Sequence, residues 1–199
     1  MIKVFRICGT LCWFVLFASQ LFFSCASTSV EPEPKTPVVY VTNLKKINIL
    51  SADKIERNID EVQFFEGAFS DKSFAMPIYI QADENGINLS VLNDFGTSMG
   101  DITFKNDSVE FESALFSENV KAEYIVWDVQ LALYKTEEIS NCLSKNKLAF
   151  VSENDGETET RKILDGKELI EEITIRKNYI GIKNHLRKYE YHLIGVGDE

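Results

Sequence analysis

KAEYIVWDVQLALY, residues 121–134, carries the clearest helical period in the chain. Val120, Tyr124, Trp127, Leu131 and Tyr134 recur at steps of four, three, four and three, and Ile125, Val126, Val129 and Leu133 fill a neighbouring stripe. The apolar arc is too wide for a surface helix. Only Lys121, Glu123, Asp128 and Gln130 are left to meet water, so the helix is expected to lie deep, inside the curve of a sheet rather than on top of it.

Both flanks of this helix alternate with the period of strands. Before it, Val62 to Phe69, Phe74 to Gln81, Ile87 to Leu92, Asp101 to Lys105 and Val109 to Glu112 read as strands. Their connections include Glu84-Asn85-Gly86 and Asn106-Asp107, residues that tolerate positive φ in hairpin turns. Alternation in Ile87-Leu89-Val91, Ile102-Phe104 and Val109-Phe111 makes one sheet face dry. The inward face of the second strand stays open, because Phe74 and Tyr79 give both faces a large side chain. Ser117 is the expected cap of the long helix and Thr136 that of a shorter one, which has Glu137 and Glu138 in its first turn and ends near Lys145-Asn146. Strands then resume at Leu148 to Ser152, Glu159 to Leu164, Glu168 to Arg176, Tyr179 to Ile182 and Lys188 to Ile194, with turns at Asp165-Gly166 and Lys177-Asn178. Upstream the signal is weaker, with Val38 to Val41 extended and Ser51 capping a helix start.

The N-terminus reads as a targeting segment. Lys3 and Arg6 precede an apolar run from Ile7 to Phe23, which Gly9, Thr10, Ser19 and Gln20 interrupt, and Ser24-Cys25 follows. This order favours a signal peptide over residues 1–24 rather than an uncleaved anchor, for which a span takes roughly 20 apolar residues. Ser24-Cys25 fits a relaxed lipobox, with Leu21 four residues before the cysteine, so Cys25 is the expected lipidation site; a signal peptide cleaved elsewhere is the alternative. Residues 25–37 then form the lipidated cysteine and a proline-punctuated tether, able to hold a single domain of residues 38–199 on the order of 35 Å from a bilayer. Two or more acyl chains would hold it there permanently. No acid stands at Ala26, Ser27 or Thr28, so the expected address is the cell envelope, lipid-anchored at the outer membrane and facing the periplasm.

Composition narrows the chemistry. The chain carries a net charge of −10, which cleavage before Cys25 would deepen to −12 by removing Lys3 and Arg6. With no basic stripe, nucleic acid is excluded as a partner. After processing, Cys142 would be the remaining thiol apart from Cys25, leaving no disulfide and no cysteine-based metal site; it reads as a small apolar residue. His185 and His192 make no zinc site, and Glu137-Glu138 and Glu171-Glu172 read as helix-start and solvent-face charge. Gly96-Thr97-Ser98-Met99-Gly100 matches the G-x-S-x-G nucleophile elbow, but a strand rather than a helix is expected to leave it, and a tight loop is the better reading. No catalytic residue, metal or cofactor is expected.

The order of features resembles a family of uncharacterised bacterial lipoproteins, domain of unknown function 3261, which look like the outer-membrane lipoprotein receptor LolB. The resemblance covers most of the mature chain and rests on Val91-Leu92-Asn93-Asp94-Phe95-Gly96, on Asp128-Val129-Gln130-Leu131-Ala132-Leu133-Tyr134, on the second short helix and on the closing strands. It implies an α+β fold of LolA/LolB type: a strongly curved antiparallel sheet, an unclosed half-barrel, with two helices plugging the concave face. It further implies a non-enzymatic monomer that takes an acyl chain or lipidated protein cargo into an apolar hollow, as receptor, carrier or handover factor. The expected wall residues are Met76, Ile78, Ile80, Ile87, Leu89, Val91, Ile102, Phe104, Val109 and Phe111, with Trp127 and Leu131 on the plug. The competing expectation is an interaction protein of the envelope whose core is filled by its own side chains.

Overall fold

The computed structural model describes residues 36–69, 72–113 and 121–196. The signal segment, Cys25, nearly all of the tether, Ser117 and Val120 lie outside the described residues. Val38–Tyr40 (β1) and Lys46–Asn48 (β2) pair as a small antiparallel ribbon. The helix expected after Ser51 is only a single 3₁₀ turn, Ala52–Lys54, and the Ser51 side chain makes no capping hydrogen bond.

The expected strands form, and their ends shift by a few residues. They are β3 (Ile59–Phe69), β4 (Lys72–Asp83), β5 (Gly86–Leu92), β6 (Ser98–Lys105) and β7 (Ser108–Ser113) before the helices, and β8 (Ala149–Asn154), β9 (Glu159–Asp165), β10 (Glu168–Arg176), β11 (Tyr179–Asn184) and β12 (Tyr189–Gly195) after them. Turn chemistry explains the hairpins: Asn106, Asp107 and Asn178 take φ of 51°, 57° and 56°, a left-handed conformation that short polar side chains tolerate. The strands join in the order β7-β6-β5-β4-β3-β12-β11-β10-β9-β8, each neighbour antiparallel. Two meanders are thus fused by the β3–β12 pair. With β7 and β8 unpaired at opposite ends, the ten-stranded sheet is not closed into a barrel.

The long helix α1 (Ala122–Leu133) and the shorter α2 (Thr136–Ser144) complete the fold. Thr136 opens α2 rather than capping it; Lys135 holds the cap position, with no side-chain hydrogen bond. Helix α1 packs on β6 and β7 near one end of the strand order and on β10 near the other. A single helix can touch both only if the sheet curls around it. Helix α2 packs on β8, with Ile139 and Leu143 fully buried.

Burial settles the inward face of β4. Ile78, Ile80 and Ala82 are buried and Phe74 and Met76 pack against the same core, whereas Tyr79 lies on the outer face, its hydroxyl donating to Asp60 at 2.6 Å. That outer face is not wholly polar, since Val62 and Phe64 are each nearly half exposed. At the far end of the β3–β4 hairpin, Phe65 meets Phe74 and Tyr191 with ring centroids 4.6 and 5.2 Å away. Gly67 makes this cluster possible: a Cβ there would stand 2.5 Å from that of Tyr191 and 2.7 Å from the carbonyl oxygen of Glu190.

Candidate functional site

The twelve residues expected to wall a hollow do share one interior. Ile78, Ile80, Ile87, Leu89, Val91, Ile102, Phe104, Trp127 and Leu131 are buried, and Met76, Val109 and Phe111 are partly buried against the same core. In this conformation they pack on one another and on α1. Two surface hollows among the described residues lie outside this packed interior, and of the twelve only Phe104 borders one of them. One, of about 380 Å³, separates β2 from α2 and is lined by Lys46, Ser51, Glu138 and Cys142 among others; another, of about 260 Å³, has Gln81, Asp83, Asn88 and Lys105 at its edges. The Cys142 thiol is half-buried, which pushes its pKa up and makes it a poor nucleophile.

Polar contacts pin α1 at three places, two of them through residues that were expected to face water. Asp128 and Gln130 are buried, at 2% and 0% exposure. Gln130 is held like a strand residue: its Oε1 accepts from the Leu50 N–H at 2.9 Å and its Nε2 donates to the Leu50 carbonyl at 2.7 Å. Both ends of the amide are thereby satisfied, which is what burial of such a group demands.

At the C-terminus of α1, Arg161 of β9 is fully buried. Its Nη1 donates to the carbonyls of Leu131 and Tyr134 at 2.9 and 2.8 Å, carbonyls that a helix end otherwise leaves unpaired. The Leu133 carbonyl accepts from the N–H groups of Glu56 and Arg57. Arg161 Nε reaches Glu159 at 2.5 Å, and Arg57 and Ser152 also donate to that carboxylate. Burial raises the pKa of Glu159, but the hydrogen bonds from Arg161, Arg57 and Ser152 outweigh it and leave the carboxyl below its ordinary value.

The third pin is a pair of buried acids. Asp128 on α1 meets Glu171 of β10, a residue expected on the solvent face but only 2% exposed. A β-bulge between Leu169 and Glu171 turns it inward. The Tyr189 hydroxyl donates to Asp128 Oδ2 at 2.9 Å and lies 3.4 Å from Glu171 Oε1, and the Tyr191 hydroxyl donates to Asp128 Oδ2 at 2.9 Å. Burial pushes Asp128 up to about 6, against the pull of hydrogen bonds from Tyr191 and Tyr189. Burial and then the neighbouring Asp128 charge push Glu171 well above the usual carboxylate range. Two desolvated carboxyls in contact cannot both ionise cheaply, so they hold a proton between them.

The nucleophile-elbow match lacks the elbow's shape. Ser98 opens β6, a strand, and its hydroxyl donates to Asp101 at 2.7 Å. His192 lies on β12 with its ring nitrogen Nδ1 2.7 Å from the Tyr179 hydroxyl. Among the described residues, no three His, Cys, Asp or Glu side chains converge on a point that could hold a metal.

A family described as protein of unknown function (DUF3261) matches residues 60–194, well over half of the chain. The chain belongs to this family. The match takes in β3 to β12 almost entirely and both helices, and so contains the Arg161 and Asp128–Glu171 contacts with α1, whereas Leu50, the partner of Gln130, lies before it. No curated protein matches the chain.

Proposed function

We propose that this member of the family is a lipid-anchored envelope protein whose half-barrel shelters an acyl chain or a lipidated cargo, with α1 as a plug that gives way to it. The observation that supports this most directly is a curled sheet wrapped around one nearly all-apolar helix that is held at discrete polar points rather than woven into the sheet. Apolar contact is non-directional and contributes about 25 cal/mol per Å². A wall that closes on Trp127 and Leu131 can therefore close on methylenes instead, at little net cost, and release them to a bilayer in the same way. The half-buried cluster of Phe65 and Phe74 offers an apolar edge along which a chain could enter. In this reading the fold is of LolA/LolB type, Cys25 carries the acyl anchor at the outer membrane facing the periplasm, and the role is transport or handover rather than catalysis.

The test compares wild type with Trp127→Ala and Leu131→Ala after gentle extraction, with bound lipid measured by mass spectrometry. Lipid in the wild type, and more of it in variants that remain folded, is the expected result. Destabilised variants with no lipid in any sample would favour the second reading, an interaction protein with a self-filled core, which the close packing around α1 supports. Palmitate labelling that persists in Cys25→Ala would overturn the anchor.

A further inference from the structure

We propose that Asp128 and Glu171 form a proton-operated latch on α1, closed while the pair retains its protons and loosened when both carboxyls ionise. The inference rests on the reading of α1 as a movable plug and supplies what would move it.

The geometry carries it. Asp128 is the point at which α1 reaches two strands at once, β12 through the hydroxyls of Tyr189 and Tyr191 and β10 through Glu171. Among the described residues no lysine or arginine forms an ion pair with either acid. Arg187, in the turn between β11 and β12, is the cation that acts on both from a distance. Its guanidinium is already occupied: it donates to the carbonyls of Tyr40 and Val41 and lies over the Tyr124 ring, 4.8 Å from the centroid. Asn184 of β11 hydrogen-bonds to Glu171. The other elements packed on α1 bring apolar side chains to it, Val39 from β1 and Phe104 and Phe111 from β6 and β7. A second negative charge in this enclosure has only the distant Arg187 to offset it, and outward movement of α1 would hydrate Asp128 and separate it from Glu171.

The sign follows from the direction of the shifts. Both acids hold protons more tightly in the docked state than in water, so docking is strongest below their ordinary values of 3.8 and 4.5. It weakens as pH rises through about 6, where Asp128 titrates, and as Glu171, itself raised by burial and by the neighbouring Asp128, loses its proton.

Amide hydrogen exchange on the full-length chain without added lipid tests the latch, with rates corrected for the intrinsic effect of pH. Between pH 5 and pH 8, α1 amides should lose protection about tenfold or more relative to those of β3 and β4. In the double variant Asp128→Asn with Glu171→Gln the relative change should vanish. If that variant does not fold, Asp128→Asn alone should still remove much of it. Protection of α1 that does not depend on pH, loss in step with β3 and β4, or a wild-type slope in a folded variant would each overturn the proposal. Lipid uptake plays no part in this readout, so a failed uptake experiment leaves the latch standing, and a failed latch leaves uptake to be judged separately.

Discussion

Two regions bury charge against the same helix and do so in opposite ways. At the C-terminal end of α1, Arg161 is balanced by Glu159 through Nε and by Glu56, 3.5 Å from Nη2, and its Nη1 donates to two helix carbonyls. Nearer the middle, Asp128 faces another acid, with tyrosine hydroxyls in place of a cation. The first region favours ionised groups and the second disfavours them. Burial pushes the carboxyls up in both regions; at Glu159 the donors from two arginines and a serine outweigh it, and at Asp128 the tyrosine hydroxyls do not. A clamp results in one place and a titratable contact in the other.

Breaking the clamp should have the largest effect. Arg161→Met leaves Glu159 without its principal partner and the Leu131 and Tyr134 carbonyls unpaired, and should cost about 3–5 kcal/mol in urea unfolding. A loss below 1 kcal/mol would show that water replaces the guanidinium and that the end of α1 is not clamped. Gly67→Ala strikes the other region indirectly, because the added methyl collides with Tyr191, a donor to Asp128; a loss of about 1–3 kcal/mol is expected.

The pH profile separates the two regions most clearly. The lowered Glu159 contributes stability that is present above its ordinary 4.5 and lost as pH falls through its folded value. The acid pair contributes stability that is present at low pH and lost as pH rises through about 6 and beyond. Wild-type stability should therefore peak in mildly acidic solution, Asp128→Asn should flatten the alkaline limb, and Arg161→Met should flatten the acid limb. Equal limbs in all three proteins would erase the comparison. The smallest effect belongs to a position in neither region: Phe95 is 93% exposed in the β5–β6 loop, and Phe95→Ser should change stability by less than about 0.5 kcal/mol.

The strands and helices were legible in the sequence because each carries its own period and its own turn residues. Asn106-Asp107 marks a hairpin whatever the rest of the chain does. Two polar pins and the inward acid were not legible, for reasons that differ. Asp128 and Gln130 break an apolar stripe, and a polar break is ordinarily solvent-facing; yet the arc of α1 was already so wide that no free face remained for them. Their burial was implied by the same width that placed the helix deep. Glu171 was hidden by the bulge, since Ile170 and Ile173 are both buried at odd spacing and alternation on β10 changes parity between them. Arg161 gave no signal at all, because a lone arginine in a strand normally faces water, and only the position of the α1 terminus makes it a cap.

The joint between β3 and β12 has a consequence for how the chain is made. Every other neighbouring pair in the ten-stranded sheet is also consecutive in sequence, so its hairpin can form as soon as it is synthesised. The β3–β12 pair brings Gln63 opposite Gly195, more than 130 residues later, and must wait for β12. Closing so long a loop is entropically slow, and it is the step that unites the two meanders. Until it happens, the N-terminal meander exposes the open edge of the 11-residue β3, the form in which a newly made chain is most easily captured or misassembled.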